Sequence, residues 1–460
     1  MEGDQMNTPS EDVKDANLST KLKKRLTKVL DVLTQHPLSS ILSAAGNRCQ
    51  AKAAYRMLSN NRFDIEEVNK AYANATVERI AEHETVLLIQ DTTTNNLNGH
   101  KETVGLGYCD EFNKGTLVHT CLAETPDGVP LGILAQKIYT RAEKKDTSAT
   151  KEEKKLWPIE KKESYKWIEI LKESHSLIPE SVKAITVCDR ESDFYEFYAS
   201  AVSSDYKVIV RLVQNRIIQD HQKSLDYMRS MPACGTIETI IPRDTRNGRK
   251  SRKAVLEVSF DSITLQKPKR RTEAHIPMAI TANAVHVVEK EPPEGVEAIE
   301  WFLLTTEAVN NFDDAVRIVE YYVQRWKIER FHYVLKEGCE VEKVQERTFE
   351  RQSALISLYS MIAIYIMALT YLSRIAPDTD CGAIFDEDEW KLLYRAANKT
   401  NQAPETSYSI NIAVRYLAKL GGFAGAPSDG APGTKVIWRG LKVLYTLLEY
   451  LEYIESKQPT

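Results

Sequence analysis

The sequence predicts a multidomain α/β protein, in which a mixed core of strands and helices is interrupted by a β-rich insertion and flanked by helical ends. Two short apolar runs, at 85–90 and 184–188, are typical of buried strands and alternate with segments of helical spacing. Between residues 213 and 306 the pattern changes to short alternating runs separated by proline, glycine and basic residues. Together these observations indicate a core sheet with a second, β-rich domain inserted into it.

The composition is that of a folded chain large enough for several domains. The 460 residues are 42% apolar and 27% charged, which excludes a wholly disordered protein. With 61 basic and 65 acidic side chains the net charge is −4, so a contact with nucleic acid would depend on local clusters of charge. The seven cysteines are scattered without any C-x-x-C pair, which argues against a disulfide framework or a zinc ribbon and favours a reducing compartment. The first 17 residues show no secretory signal, so we expect a cytoplasmic protein.

One apolar stretch is close to the length of a membrane span. Residues 354–372 are 19 residues without a charge. The stretch is isolated, contains tyrosine and serine, and follows a charged amphipathic segment, so a fully buried core helix is favoured over a membrane helix. We therefore expect no membrane partner.

The elements follow in order along the chain. Residues 1–70 are predicted to form a helical domain, because 21–33, 52–58 and 65–77 have helical spacing. The first part of the core, 71–212, is built from alternating or β-rich runs and intervening helical runs, with a charged loop at 141–162. Its predicted strands are 85–90, 115–124, 132–140, 184–188 and 206–212, and its clearest helix is 164–177.

The insertion and the C-terminal half complete the prediction. Four alternating runs in the 213–306 insertion predict strands at 235–241, 254–265, 276–282 and 299–305. Continuous helical periodicity at 308–341 and the apolar helix form the second part of the core, 307–375. A polar connecting region at 377–409 and two helices around the Gly/Pro-rich 421–433 make a C-terminal helical domain, 376–460.

Three carboxylates are the most suggestive side chains for chemistry. Asp91 and Asp189 each end a buried-type strand, where α/β proteins place ligand and metal groups. A strand-ending aspartate can equally cap a turn or a helix, so neither is specific alone. If 322–336 is one helix, four polar side chains fall within an arc of about 60° on one face: Tyr322, Arg325, Glu329 and Lys336. A solvated Arg325/Glu329 pair is the alternative interpretation of this face.

The combination of carboxylates and cations suits phosphoryl transfer. Two Mg²⁺ ions roughly 3.5–4 Å apart activate the nucleophile and stabilise the leaving oxygen in such reactions. Hard carboxylate oxygens from Asp91, Asp189 and Glu329 are suitable ligands for Mg²⁺.

At these residues the sequence resembles the DDE transposases of the IS4 family, and specifically the Tn5 transposase group. The motifs are residues 88–93, residues 187–193 and the signature Y-x2-R-x3-E-x6-K, which Tyr322, Arg325, Glu329 and Lys336 fill. Weaker similarity extends over about 430 residues in all, including 53–56, 163–167, 301–305 and 438–440. The resemblance implies an RNase H-like catalytic core interrupted by a β-rich insertion, a helical N-terminal DNA-binding domain and a C-terminal dimerisation domain.

The resemblance also implies a reaction and a set of roles. The reaction is cut-and-paste transposition, with nicking of transposon ends, hairpin formation and opening, and transfer of the 3′-OH into target DNA. Asp91, Asp189 and Glu329 would hold two Mg²⁺ ions per active site, with Mn²⁺ as a substitute, in a bacterial, nucleoid-associated homodimer that pairs two double-stranded ends. Three positions match family residues that hold the DNA end: Tyr322, Arg325 and Lys336. Trp301 matches a family tryptophan that stacks with DNA. From the residues alone, Trp301 is typical of an aromatic side chain in the core. Arg190 and Arg211 would reach phosphates, although Arg211 could equally form a structural ion pair.

Basic clusters provide a possible DNA footprint in spite of the net charge. They are Lys21, Lys23, Lys24, Arg25 and Lys28; Arg243, Arg246, Arg249, Lys250, Arg252 and Lys253; and Lys267, Lys269, Arg270 and Arg271, with Arg56 matching a retained family position. Two alternatives stay open. The first is a catalytically idle, dimerising inhibitor, because the tryptophan-containing segment with which the family usually opens is missing ahead of residues 16–21. The second is a general RNase H-like nuclease.

Overall fold

The computed structural model describes residues 7–37, 41–142, 149–241, 252–269, 271, 273, 275–426 and 429–455. The chain separates into two compact units. The first contains residues 1–84, 92–145 and 327–460, and the second contains 85–91 and 146–326. Helices and strands occur in both, so the predicted mixed α/β fold is confirmed.

The first unit begins with five helices. They are α1 (Pro9–Asp12), α2 (Thr20–Gln35), α3 (Ile41–Ala44), α4 (Arg48–Leu58) and α5 (Ile65–Ile80). Helix α2 buries a leucine-rich face while its lysines remain on the outer face, as its amphipathic spacing predicts. Helix α4 starts at Asn47, whose side chain accepts a hydrogen bond from the Gln50 amide. These helices confirm the helical start that the sequence predicts.

Strand β1 (Thr85–Asn96) belongs to both units, and its second half lies in the first one. There it is followed by β2 (Gly115–Glu124) and β3 (Pro130–Tyr139), which pair in an antiparallel hairpin. The bounds of β2 are those predicted from the sequence. All ten residues of β2 are buried, because both faces of this hairpin strand are covered.

The apolar helix is the centre of the first unit. This helix, α12 (Phe349–Ile375), is long and apolar enough to cross a membrane, but 94% of its most apolar window is buried inside the protein. It packs on β3 and on the C-terminal helices α14 (Ile410–Leu420) and α15 (Thr434–Glu455). The prediction of a core helix is confirmed. Helices α11 (Trp326–Tyr333) and α13 (Glu387–Asn398) complete this unit.

The second unit is built on a sheet of seven strands. Besides the first half of β1, the strands are β4 (Lys183–Cys188), β5 (Lys207–Arg211), β6 (Gly235–Ile241), β7 (Arg252–Gln266), β8 (Ala279–Glu289) and β9 (Glu300–Thr305). Their order is β1-β4-β5-β9-β8-β7-β6. Strands β1, β4 and β5 are parallel, and the remaining pairs are antiparallel. Because β9 pairs with both β5 and β8, the strands predicted as an insertion continue the core sheet edge to edge.

The helices of the second unit are short. They are α6 (Lys151–Leu156), α7 (Tyr165–Ser176), α8 (Tyr195–Ser203), α9 (Ser224–Ser230) and α10 (Phe312–Gln324). Helices α7 and α8 contribute Trp167, Phe197 and Tyr198 to a core that also includes residues from β4, β5, β8 and β9. This core supports the edge of the sheet at which β4 and β5 end.

Three predictions of local structure were wrong. The loop at 141–162 contains α6, because Thr150 and Glu153 form a capping box at its start. The connecting region at 377–409 contains α13, which Asp386 and Glu389 cap in the same way. The helix predicted over 308–341 is interrupted at Arg325 and becomes a π-helix at Val334–Gly338.

Candidate active site and DNA-binding surfaces

The register of the parallel strands brings the two predicted aspartates together. Gln90 of β1 pairs with Cys188 of β4, and each is followed by an aspartate. Asp91 does not end its strand as the sequence predicted, because β1 continues to Asn96; it follows the last residue of β1 that pairs with β4, and Asp189 follows β4, so the two are neighbours where this parallel pairing ends. Asp189 also caps the short 3-10 helix Arg190–Ser192, and its Oδ1 accepts a hydrogen bond from the Glu191 amide at 2.8 Å. The capping role and a ligand role use different oxygen lone pairs, so one does not exclude the other.

Arg325 lies beside Asp91. Its guanidinium Nη1 is 3.5 Å from Asp91 Oδ2, and the two side chains are only 17% and 15% exposed. Arg325 follows the last residue of α10, and its helical backbone continues the turn into α11. A cation at this place balances the charge of the aspartate.

Tyr322 and Arg211 extend the same cluster. Arg211 comes at the end of β5, one strand beyond Asp189, and hydrogen-bonds the Tyr322 side chain. Burial raises the pKa of the Tyr322 hydroxyl, and the nearby Asp189 raises it further, whereas Arg325 and Arg211 lower it. The phenol is therefore neutral and hydrogen-bonded within a ring of charged groups. Arg211 also donates to the Glu300 carbonyl at 3.4 Å, so part of its role is structural.

Trp301 packs edge-on against Tyr322. The two ring centroids are 5.5 Å apart, with an interplanar angle of 65°. Trp301 is half-buried on β9, so its ring is neither a full core residue nor fully exposed. Arg190, by contrast, is exposed in the turn after β4.

Glu329 and Lys336 occur in the first unit. Glu329 is half-buried on α11. Lys336 lies in the π-helix, where its ammonium group donates to the Thr94 carbonyl and lies 3.9 Å from Glu342. A π-helix has more residues per turn than an α-helix, so the uniform 100° step does not hold up to Lys336.

The donor set suits a hard divalent cation. Carboxylate oxygens are the ligands that Mg²⁺ prefers, and no thiol or imidazole is required. Within the described parts of the chain, no three histidine, cysteine, aspartate or glutamate side chains are grouped closely enough to hold a metal ion. Asp91 and Asp189 are the two predicted ligands that the register of β1 and β4 places next to each other.

Asp193 organises the segment after Asp189, and no sequence pattern distinguishes it from an ordinary capping residue. Its side chain is fully buried and accepts hydrogen bonds from Tyr198, from Arg216 and from two backbone amides. Those amides, of Val213 and Gln214, begin the segment after β5. One carboxylate therefore connects the two turns that come after β4 and β5.

Comparisons with known proteins match three parts of the chain. Residues 8–63 match a family described as Transposase DNA-binding, residues 161–366 match Transposase DDE domain, and residues 361–460 match Transposase Tn5 dimerisation domain. The three occur in the order of the predicted domains.

The chain belongs to the Tn5-like DDE transposases.

A solved structure titled as a piggyBac transposase synaptic complex with hairpin DNA has 13% identity to this transposase. The match covers 100% of this chain and 79% of that one, with a TM-score of 0.36. At that score the likeness supports no conclusion about the transposase.

The DNA-binding domain of this transposase carries a basic groove. A cavity of about 380 Å³ between α2 and α4 is lined by four cations, together with small and apolar side chains. The cations are Lys21, Arg25, Arg56 and Arg62. Lys24 is exposed on the same helix as Arg25. The structure therefore brings Arg25 and Arg56 together, although 31 residues separate them in the sequence.

The basic clusters of the β-rich region are only partly accessible. Arg252 forms a two-pronged ion pair with Glu289 and is 16% exposed, whereas Lys253 is exposed. Arg271 is buried against Glu196 at 4% exposure, so it stabilises the fold rather than a surface. Five further cations of these clusters lie outside the described residues: Arg243, Arg246, Arg249, Lys250 and Arg270. Lys253 is therefore the solvent-exposed side chain among Arg252, Lys253 and Arg271.

Proposed function

We propose that this transposase cuts DNA at the ends of its element, forms and opens a hairpin there, and transfers the 3′-OH into target DNA. The observation that carries the proposal is the pair Asp91 and Asp189 where the parallel pairing of β1 with β4 ends, with Arg325 against Asp91. Membership of the family supports the reaction class, and the pair supports the assignment of the chemistry to this edge of the sheet.

Asp91, Asp189 and Glu329 would hold Mg²⁺, or Mn²⁺ in its place. Two bound ions would supply activation of the attacking oxygen and stabilisation of the leaving oxygen. The protein contributes positioning: Asp91 and Asp189 are held by the sheet, and Asp189 is held additionally by its capping hydrogen bond.

The remaining side chains of the cluster would bind the DNA end. Arg325 and Arg211 carry positive charge around the aspartates and would contact phosphates, with Tyr322 oriented between them. Trp301 offers a half-exposed ring on which a displaced base could stack, which is the physical requirement of a hairpin step. Lys336 and Arg190 would contact the backbone.

Two copies would act together on two DNA ends. The support is the dimerisation domain at 361–460 together with the basic groove of the DNA-binding domain. Arg25, Lys24 and Arg56 would bind the ends, and Lys253 with Arg249 and Lys250 would contact flanking or target DNA. Arg252 is left out because its guanidinium is paired with Glu289.

The decisive experiment is nicking of DNA that carries the terminal sequences flanking the gene. We expect nicking in Mg²⁺ or Mn²⁺ by the wild-type protein and a loss of about 100-fold or more in Glu329→Gln, with DNA affinity retained. Glu320→Gln, a matched change on the exposed side of α10, should nick normally. Binding without any nicking by the wild-type protein would favour the inhibitor, and nicking without preference for the ends would favour a general nuclease.

The Trp301 assignment has its own test. Trp301→Ala should leave the first nick intact and reduce hairpin formation, because a base that loses its stacking partner is stabilised less outside the duplex, by about 1–3 kcal/mol. The two products are separated on denaturing gels. Equal loss of both steps would instead assign Trp301 to the core.

A further inference from the structure

A second groove lies in the second unit, beside the segments that follow β4 and β5. Its volume is about 670 Å³, within the range of about 300–1,000 Å³ that ligand sites occupy. We call it the Phe194 groove, and its lining comes from residues 193–195, 214–223 and 266–269. All three segments belong to the second unit, so the groove is formed within one compact part of the fold.

Hydrogen bonds hold the three lining segments together. The Gln266 amide donates to the Ile217 carbonyl at 3.0 Å. The buried Asp193 carboxylate accepts from the Gln214 amide at 2.8 Å and from the Arg216 guanidinium. Each segment is thus tied to another one, and the groove is a fixed part of the fold.

The Phe194 groove has a positive charge. Four lysine and arginine side chains line it, and the carboxylate in its lining, Asp193, is already paired with Arg216. Lys267 is half-buried, and its ammonium group donates to two backbone carbonyls. Lys269 is exposed, and so is Lys223, whose ammonium group makes a long hydrogen bond of 3.5 Å to a backbone carbonyl. Lys223 and Lys269 are therefore the side chains that can neutralise an anionic ligand.

Phe194 gives the groove an aromatic surface. Its ring is half-buried, packs on the core of the second unit and lies 5.9 Å from the Phe197 ring, between centroids. Gln214 and Asn215 belong to the same lining, and their exposed amides can donate and accept hydrogen bonds. Proteins that bind a single nucleic-acid strand combine cations for the phosphates with an aromatic ring on which a base stacks.

The aromatic ring favours a single strand over a duplex. The bases of a duplex are stacked on one another, so their faces are not available to Phe194, whereas a separated strand presents the face of every base. Lys223 and Lys269 alone would suit either form, because both forms carry phosphates.

The groove begins close to the candidate site along the chain. Phe194 is five residues after Asp189, so their Cα atoms are at most about 18 Å apart. Gln214 is three residues after Arg211, which limits that separation to about 11 Å. A strand that is cut beside Asp189 can therefore extend into the groove.

We propose that the Phe194 groove binds the single DNA strand that is separated when a DNA end is cut. Lys223 and Lys269 contact its phosphates, and one base stacks on Phe194. The inference rests on the proposed function, because the cut supplies the separated strand. The groove is distinct from the basic groove of the DNA-binding domain, which is lined by residues of α2 and α4.

The first test measures binding of a single strand to the full-length protein without a divalent ion. The probe is a fluorescent oligothymidylate of about 12 nucleotides, and an excess of unlabelled duplex end DNA occupies the DNA-binding domain. In the double variant Lys223→Gln with Lys269→Gln, the slope of log K against log salt should be smaller by about 1.4, because each phosphate contact on a single strand contributes about 0.7. The control Lys161→Gln with Lys172→Gln removes two exposed lysines of the same unit that do not line the groove, and it should leave the slope unchanged.

The second test concerns the aromatic ring. Phe194→Leu should weaken binding of the oligothymidylate about tenfold, because the stacked base is lost while an apolar side chain remains. Phe194→Tyr keeps the ring and should bind within about twofold of the wild-type protein. A probe with 5-iodouracil, which on irradiation crosslinks to an aromatic ring in contact with it, should yield a wild-type peptide crosslinked at Phe194. Thermal unfolding shows whether the leucine variant is folded, and the lysine variants test the groove without changing its core.

Two results would overturn the inference. One is an unchanged salt slope in the lysine variant, with crosslinks confined to residues 20–62. The other is loss of all oligothymidylate binding when duplex DNA is in excess. Either result leaves nicking of the ends by the wild-type protein, and hence the proposed function, intact. A wild-type protein that holds the strand at Phe194 but does not nick would instead remove the proposed function and the origin of the strand, while the binding site stands.

Discussion

Asp193→Asn is a small change that should have a large effect on the second unit. The substitution keeps the size of the side chain but removes its charge and replaces one acceptor oxygen with a donor NH₂. In the native protein one oxygen accepts from Tyr198 and Arg216, and the other accepts from the Val213 and Gln214 amides at 2.8 Å each. In the variant, either the arginine or the amides must face another donor.

The expected magnitude derives from burial. The Asp193 side chain is 0% exposed and that of Arg216 is 12% exposed, so the pair is poorly screened by water. Breaking a buried pair by removing one partner destabilises a protein by about 3–5 kcal/mol. At about 1.4 kcal/mol for each factor of ten, that is an increase of about 140- to 4,000-fold in the opening equilibrium of this region.

Amide hydrogen exchange measures this opening directly. Peptides that cover β5 and the Val213–Gln214 amides should exchange faster by about that factor, whereas peptides from α12 should not change. The matched control is Asp205→Asn, because Asp205 is 91% exposed beside Lys207. Asparagine tolerates the positive φ of 55° at this position, so we expect Asp205→Asn to change the free energy of unfolding by less than about 0.5 kcal/mol. An exchange rate in Asp193→Asn that differs from wild type by less than about fivefold would refute the reasoning.

Three further predictions concern packing, pH and DNA affinity. Gly440→Ala should lower the free energy of unfolding, measured by urea titration, by about 1–3 kcal/mol, because the new Cβ would lie 2.0 Å from the Leu417 carbonyl oxygen. Gly433→Ala is the control and should be neutral, because no atom lies within 4 Å of a Cβ at that position. Burial lowers the pKa of His175 from 6.5 to about 4, so the unfolded chain binds a proton first as the pH falls. Stability should therefore drop between these values by at most about 3 kcal/mol, and His175→Phe should remove that dependence. Arg56→Ala should weaken binding to the ends and reduce the slope of log K against log salt by about 0.9, and an unchanged slope would exclude a phosphate contact.

Local patterns predicted most of the elements correctly. The bounds of β2 and β6 agree with the alternating runs at 115–124 and 235–241, because each run begins at a glycine that interrupts the preceding pattern. Helices α14 and α15 were predicted for the same reason, since a Gly/Pro-rich segment separates two apolar periodic runs. Elements that depend on polar caps, such as α6 and α13, were missed because charged residues dominate their sequence.

The candidate site was predicted in part. Asp91, Asp189 and Arg325 carry recognisable motifs, and the structure places Arg325 beside Asp91. The role of Asp193 could not be predicted, because a buried carboxylate looks like any acidic residue until its surroundings are known. The π-helix that contains Lys336 was not predicted, because the sequence from 308 to 341 has continuous helical periodicity.

Short-range information in the chain was sufficient for the transposase motifs, for the buried nature of α12 and for most strands, because periodicity reflects which side chains must avoid water. It could not specify that β4 rather than another strand lies beside β1, that Arg216 reaches Asp193, or that Lys327 donates to the Gly128 carbonyl. Each of these contacts joins residues far apart in sequence, and its free energy depends on the burial that the folded chain creates around it.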